Sequence, residues 1–199
     1  MTPAQHRRKR AFDLAASGLG LLAVGVPLLV LAGLARWSTG ASGFFVQQRI
    51  GRAGQPIPVV KLRTMRPSLD RSTVTTAGDP RITRFGAFLR RTKLDELPQL
   101  WSVLRGHMSF VGPRPDVPGY ADRLQGDDRR ILELRPGITG PATLAFRDEE
   151  ELLAAQPNPQ RYNDEVLWPE KVRLNRDYLD HWTLRRDLAY IWQTVVGKN

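Results

Sequence analysis

The sequence of 199 residues contains no cysteine. Disulfide bonds, cysteine nucleophiles and thiolate metal sites are therefore excluded. Histidine is almost as scarce, and the three histidines show no metal-ligand spacing, so a zinc site is not expected; they are His6, His107 and His181. Any covalent catalysis has to use another type of side chain, and a carboxylate is a suitable candidate.

Negative charge is also under-represented. The chain has 30 Lys and Arg residues against 20 Asp and Glu, which gives a formal net charge of +10. This excess indicates an anionic partner, which could be nucleic acid, an anionic membrane surface or a phosphorylated substrate. The hydrophobic content of 41% is typical of a folded protein, and the length favours one globular domain.

A long apolar run near the N-terminus favours the membrane among these partners. Leu14 to Ala35 is a run of 22 residues without a charge, enough to cross a bilayer core at about 1.5 Å per residue. Pro27 lies in its middle, where it removes a backbone hydrogen bond and bends a helix. Cations flank both ends, and the positive-inside rule places both flanks on the cytoplasmic side only for a re-entrant hairpin. The residues alone leave the hairpin and the spanning helix both open.

Two adjacent carboxylates, Asp95 and Glu96, follow a cluster of three cations within residues 90–93. Neighbouring residues on a helix point about 100° apart, so these two side chains can hold different roles. The cations and a helix N-terminus would keep both carboxylates ionised, as a nucleophile or a magnesium ligand must be. The alternative is structural, with Thr92 as a helix cap paired to Asp95 three residues later.

Further cations lie on elements that could bring them to the same site. Phe44–Ile50 and Ile57–Met65 are predicted as paired strands, and the two-residue period places Lys61 and the arginine two residues on together on one face. Arg114 lies between two prolines, which fix the backbone around one guanidinium and suit phosphate binding. Arg147 could complete such an anion site.

The remaining segments alternate between helix and loop. The Ser- and Thr-rich stretch 67–80 is predicted as a mobile loop that could cover a site. Helices are predicted at 84–91 and over 170–196, and the acidic run 148–151 is predicted to open a further short helix. The aromatic and arginine residues of the last helix suit either a membrane surface or packing on the core of the protein.

Six short motifs occur in a fixed order along the chain, and together they resemble one family. They are Lys9-Arg10-x-x-Asp13 before the apolar run, Gln48-Arg49-Ile50-Gly51, Lys61-Leu62-Arg63-Thr64-Met65, Leu94-Asp95-Glu96-Leu97-Pro98-Gln99-Leu100, Ser109-Phe110-Val111-Gly112-Pro113-Arg114-Pro115 and Arg135-Pro136-Gly137-Ile138-Thr139-Gly140. The family is that of the bacterial sugar transferases, the monotopic polyprenyl-phosphate phosphoglycosyl transferases. The resemblance covers the chain from its basic tail to its final helix.

The resemblance implies a magnesium-dependent enzyme at the cytoplasmic face of the bacterial inner membrane. Such an enzyme transfers a phosphosugar from a nucleoside diphosphate sugar, usually a UDP-sugar, to undecaprenyl phosphate, and releases UMP as glycan assembly begins. By motif match, Asp95 is the nucleophile that forms a covalent phosphosugar intermediate, and Glu96 helps to hold Mg²⁺. Arg90 and Arg114 match phosphate-contacting arginines, and Lys61 is a helper.

The resemblance also implies a helix-rich α+β fold. Residues 1–40 would form the basic tail and a re-entrant membrane hairpin broken at Pro27, and residues 41–199 a compact cytoplasmic catalytic body. A few short strands and amphipathic interfacial helices complete the expected architecture. The segment 141–147 departs from the commoner family pattern, which weakens the transfer of a role to Arg147.

Two rival classes and several partners stay open at this stage. A phosphatase or phosphotransferase acting through an aspartyl phosphate would share the nucleophile, and a basic membrane-anchored binding protein would need no catalysis at all. No nucleic-acid-binding motif is present, so membrane lipids and the two substrates are the expected partners. The identity of the sugar and the choice between monomer and homodimer cannot be derived from the sequence.

Overall fold

A computed structural model describes residues 1–67 and 79–197. The predicted loop at 67–80 therefore lies almost entirely outside the described residues. The helices are α1 (Pro3–Thr39), α2 (Arg84–Arg91), α3 (Gln99–Arg105), α4 (Pro141–Ala145), α5 (Glu149–Ala154), α6 (Pro159–Tyr162), α7 (Trp168–Asp180) and α8 (Leu184–Val196). The strands are β1 (Phe44–Ile50), β2 (Pro56–Leu62), β3 (Ser109–Val111) and β4 (Gly137–Thr139). The helix-rich α+β class predicted from the sequence is confirmed.

Helix α1 is long, apolar and continuous through Pro27. Thr2 caps its first turn, and Gly40 ends it in a left-handed conformation with φ of 71°. Among the described residues it is the one helix long and apolar enough to cross a membrane, and only 17% of its most apolar window is buried. The apolar segment is thus confirmed as a helix, whereas the re-entrant hairpin and the cytoplasmic placement remain predictions.

Both halves of α1 contact the rest of the protein. Near its start, Asp13 accepts hydrogen bonds from the Ser109 hydroxyl (3.1 Å) and from the backbone N–H of the next residue (3.2 Å). Near its end, Ala35 is fully buried in a cluster with Leu62 and Leu89. Large apolar side chains between these contacts remain exposed, including Leu19, Leu22, Val26, Leu29 and Val30.

Two small sheets organise the body. β1 and β2 form the predicted antiparallel hairpin, although β2 ends at Leu62, before the predicted end at Met65. Phe45 lies opposite Lys61 in this hairpin, and Arg49 lies opposite Ile57. Opposed residues share a face of an antiparallel sheet, so the alternate residues of β1 from Phe45 to Arg49 lie on the same face as Lys61. β3 and β4 form a separate parallel pair.

The predicted helix over 170–196 is two helices in the structure. Thr183 breaks the run, because its hydroxyl accepts a hydrogen bond from the Arg186 N–H and caps α8. In the first turn of α8, Asp187 is fully buried and accepts hydrogen bonds from the Lys9 ammonium (2.7 Å) and the Tyr178 hydroxyl (2.5 Å). The final helix is therefore joined directly to the start of α1.

Candidate active site

The acidic pair lies in a short 3₁₀ turn, Leu94–Glu96, between α2 and α3. Lys93 precedes the turn with φ of 57°, a left-handed conformation that redirects the chain after α2. The structural alternative, in which Thr92 caps a helix that contains Asp95, is wrong, because the Thr92 hydroxyl donates to the carbonyl of Phe88 (2.8 Å) at the end of α2. The carboxylates are thus free of any capping role.

Asp95 is 9% exposed, and its Oδ1 has no hydrogen-bond partner among the described residues. Burial raises the pKa of Asp95, and the negative charge of Glu96 adds to the increase. The positive charges of Lys61 and Arg90 act in the opposite direction. A buried carboxylate oxygen without a partner costs folding free energy, so this atom is a candidate for contact with a ligand.

Glu96 has the opposite environment. Burial acts to raise its pKa, but the charge and hydrogen bond of Lys61, together with the charges of Arg114 and Lys93, lower it, and the net result is a lowered pKa of Glu96. The Lys61 Nζ lies 2.7 Å from the Glu96 Oε1, with both side chains partly buried. Glu96 is consequently an anion at neutral pH, whereas its neighbour Asp95 is more readily protonated.

Two predicted arginines lie near this pair. The Arg90 Nε donates to the Thr64 hydroxyl (2.9 Å), and its charge acts on Asp95. Arg114 is exposed and its charge contributes to the lowered pKa of Glu96. The structure therefore brings both arginines within electrostatic range of one of the two carboxylates.

An open cavity of about 450 Å³, part of it open to solvent, lies beside the turn. Its lining includes Phe45, Gln47 and Arg49 from β1, Lys61 from β2, Glu96 and Arg114. Asp95 precedes Glu96 in the chain and is buried, and it is not among the lining residues. The mixed lining of cations, one carboxylate and apolar residues suits a polyanionic ligand.

The structure does not bring Arg147 to this cavity. Its guanidinium donates to the carbonyls of Gln193 and Gly197, at the C-terminal end of α8. Cations at this end of a helix satisfy its unpaired carbonyls. The predicted phosphate role of Arg147 thus has no support in its contacts. Pro27, the predicted break in the membrane segment, is exposed on α1 and also lies outside the cavity lining.

Sequence reasoning missed Gln47 and Arg49 as cavity residues. Arg49 donates from Nε (3.1 Å) and Nη2 (2.7 Å) to the Gln47 Oε1. The sequence does contain a signal for Arg49 as a site residue. The two-residue period of β1 places Arg49 on the same face as Lys61, and Arg49 belongs to one of the six motifs.

No cluster of three or more acidic or histidine side chains forms a metal site within residues 1–67 and 79–197. Magnesium commonly binds through one or two carboxylates together with substrate phosphates and water. Glu96 is a carboxylate of the cavity lining and fits that donor set as its one protein ligand.

These features define a class of protein, one that handles a phosphorylated substrate beside a long apolar helix. The chain belongs to the bacterial sugar transferase family, whose sequence profile matches residues 4–198. This confirms the family predicted from the motifs, and the chain is accordingly a sugar-phosphate transferase.

Named relatives agree with the family. The chain is 32% identical to the exopolysaccharide production protein ExoY of Sinorhizobium fredii, over 94% of this chain and 83% of that protein. It is 38% identical to a UDP-glucose:undecaprenyl-phosphate glucose-1-phosphate transferase of Caulobacter vibrioides, over 94% of this chain and 68% of that protein. An Escherichia coli transferase of the same name is 34% identical, with 94% of this chain and 39% of that protein covered.

Proposed function

We propose that this chain transfers a sugar 1-phosphate from a UDP-sugar to undecaprenyl phosphate through a covalent aspartyl phosphosugar intermediate. The observation that carries the proposal is the buried, unpartnered Oδ1 of Asp95 beside the Lys61–Glu96 ion pair. The names of the relatives support the donor and acceptor classes.

In the first step, a carboxylate oxygen of Asp95 attacks the phosphorus that carries the sugar. A new bond forms between that oxygen and phosphorus, and the bond from phosphorus to the bridging oxygen breaks. The electron pair stays on the bridging oxygen, which leaves as part of UMP. The charges of Lys61, Arg90 and Arg114 stabilise the negative charge of the transition state.

In the second step, a phosphate oxygen of undecaprenyl phosphate attacks the same phosphorus. The bond between phosphorus and the Asp95 oxygen breaks, the carboxylate is regenerated, and the sugar leaves on undecaprenyl diphosphate. Donor and acceptor therefore react in separate steps, which predicts ping-pong kinetics.

Magnesium fits this scheme as a cofactor held by Glu96 and by phosphate oxygens of the donor. When bound, it would neutralise part of the diphosphate charge. Lys61 contacts the Glu96 carboxylate at 2.7 Å. The lysine therefore orients the carboxylate that would hold the metal, and it also contributes its own positive charge.

We also propose that α1 enters the inner membrane from the cytoplasmic face, bends at Pro27 within the membrane and returns to the same face. The contacts at Asp13 and Ala35 support this placement. These residues are 22 positions apart, or about 33 Å along a helix, close to the thickness of a bilayer core. A spanning helix would separate the two contacts by the whole membrane, yet both are made with one body.

The test uses protein purified in nanodiscs with Mg²⁺, undecaprenyl phosphate and a panel of UDP-sugars. We expect UMP release from at least one sugar, and a loss of about 10³-fold or more in Asp95→Asn, because the amide is a poor nucleophile. Without acceptor, the unmodified chain should gain the mass of one phosphosugar on the peptide that contains Asp95.

Asp148→Asn is the matched control, because Asp148 is exposed and lies outside the cavity lining. It should retain full turnover, and thermal unfolding should show that both variants are folded. Turnover by a folded Asp95→Asn protein at more than a tenth of the normal rate would contradict the covalent mechanism.

A further inference from the structure

Arg49 lines the cavity but has no part in the steps described above. Phe45 lies opposite Lys61, and Arg49 is four residues further along β1. Arg49 is therefore on the same face of the β1–β2 sheet as Lys61 but four residues away along the strand direction. At about 3.3 Å per residue, this places the two backbones about 13 Å apart along the strand. The cavity thus has a cation at each end of one sheet face.

Arg114 also lines this cavity, and its positive charge acts on Arg49 as well as on Glu96. Burial lowers the pKa of Arg49, and the positive charge of Arg114 lowers it further. The carboxyl whose charge opposes this effect on Arg49 is that of Asp116, and desolvation raises its own pKa to about 6, against the effects of Lys171, Arg114 and Arg49. Two guanidiniums beside one weakly acidic carboxyl leave positive charge uncompensated, and a phosphate dianion would balance it.

Gln47 fixes the direction of Arg49. Its Oε1 accepts two hydrogen bonds from the guanidinium, through Nε and Nη2. Arg49 has five N–H donors, so donors on Nη1 and the second donor of Nη2 remain for a ligand. A side chain held in this way loses less conformational entropy when it binds an anion.

We propose that Arg49, together with Arg114, binds the phosphate of the nucleotide that leaves in the first step. The inference rests on the proposed function. When the bond to the bridging oxygen breaks, that oxygen becomes a terminal oxygen of the UMP phosphate and takes the electron pair. The phosphate gains negative charge at that moment, and the two guanidiniums stabilise it there.

The nucleotide, not the lipid acceptor, is the occupant that the fold favours. The Phe44 end of β1 packs in the cluster that contains Ala32 and Ala35 of α1, next to the exposed apolar part of that helix. The opposite end, at Ile50, packs against Leu132 and neighbouring residues of the body. A lipid phosphate would approach from the first end, and a water-soluble nucleotide can occupy the second.

The experiment measures UMP binding by calorimetry in nanodisc-held protein with Mg²⁺, in the Asp95→Asn background that prevents turnover. We expect Arg49→Gln to weaken UMP binding at least tenfold, and Arg49→Lys to weaken it less, because the charge is kept. Arg52→Gln is the control, since Arg52 is an exposed cation three residues away and outside the cavity lining. It should stay within twofold of the parent.

Two further measurements separate the phosphate from the rest of the ligand. Uridine, which lacks the phosphate, should bind Arg49→Gln and its parent equally. The trapped phosphosugar enzyme, formed with Asp95 present, should pass its group to undecaprenyl phosphate at the normal rate in Arg49→Gln. A slowed second step with unchanged UMP binding would assign Arg49 to the lipid phosphate and overturn the proposal.

The proposal is also overturned if the parent does not bind UMP, or if a folded Arg49→Gln variant binds UMP within twofold of it. Turnover by the unmodified chain is measured separately. If no UDP-sugar is turned over but UMP binding depends on Arg49, the proposed function fails and the nucleotide phosphate site stands.

Discussion

At the scale of single residues, Asp95 and Glu96 are neighbours whose pKa values move in opposite directions. Burial and the adjacent charge raise the pKa of Asp95, whereas at Glu96 the nearby cations, Lys61 foremost, lower the pKa against the effect of burial. Adjacent carboxyl groups with different environments are suited to different roles. Here the ion-paired Glu96 is suited to hold a cation, and the unpaired Asp95 to attack phosphorus.

The pH dependence of the first step should follow Asp95. Protonated Asp95 cannot attack, so its raised pKa places the acidic fall of kcat/KM at a higher pH than for an exposed aspartate. Lys61→Gln removes a cation that lowers this pKa, and the fall should move to still higher pH. The measurement is the pH profile of UMP release at limiting UDP-sugar.

Arg63→Gln is the control for this profile. Arg63 lies two residues from Lys61, but its Nε donates to the carbonyl of Ser42 (2.7 Å). Replacing Arg63 should leave the pH at which kcat/KM falls on the acidic side unchanged. An acidic fall that is unchanged in Lys61→Gln, or that moves to lower pH, would show that Asp95 does not control the step.

Replacing Arg147 distinguishes a structural role at the end of α8 from the predicted role in phosphate binding. Because its guanidinium binds the carbonyls at the end of α8, Arg147→Ala should lower the free energy of unfolding by about 1 kcal/mol. The kcat/KM of the folded variant should stay within about threefold of normal. Thermal unfolding and initial rates measure the two quantities, and a 100-fold loss of kcat/KM at unchanged stability would favour phosphate binding.

The sequence predicted the parts of the site that are close together in the chain. Asp95 and Glu96 are adjacent, and the strand period placed Lys61 on a shared face. The contacts of Arg147 could not be predicted in this way, because they depend on where α8 ends, 46 or more residues later. The unsatisfied Oδ1 of Asp95 is likewise a product of tertiary packing and has no signature in local sequence.

At the scale of elements, local patterns predicted β1, β2 and α2 well. The helix over 170–196 was predicted as continuous because its apolar spacing continues past the break. The break at Thr183 is reinforced by a contact across it, in which Trp182 Nε1 donates to the buried carboxylate of Asp187 (3.1 Å). A tertiary contact of this kind, between the residues before α8 and its first turn, outweighs local helix propensity.

Helix α2 approaches the backbone after β2 closely at Gly86. A Cβ added there would lie 2.0 Å from the carbonyl oxygen of Thr64, and the side chain of the same Thr64 holds Arg90. Gly86→Ala should therefore cost about 1–3 kcal/mol and lower kcat by displacing Arg90.

Gly18→Ala in α1 is the matched control, because no described residue lies within 4 Å of the added Cβ. Alanine favours a helix over glycine by about 1 kcal/mol, so this variant should be as stable as the parent or more so. Chemical denaturation and steady-state rates compare the two. Equal stability and kcat in both would refute the close packing of α2.

At the scale of the whole molecule, the placement of α1 can be tested because the chain has no cysteine. Ala4→Cys places a single exposed thiol in the first turn of α1, and Gln48→Cys places one after the helix. We expect an impermeant maleimide to label both in inside-out vesicles and neither in intact spheroplasts. Labelling of the two positions from opposite sides would establish a spanning helix and contradict the hairpin.

The ion pair between Lys9 and Asp187 joins residues 178 positions apart. A ribosome that adds roughly 5–20 residues per second leaves about 10–35 s between the synthesis of these two partners. During that interval α1 is complete but cannot make its contact with α8. Under the proposed placement of α1, its apolar face can therefore meet the bilayer before the body closes around its first turns.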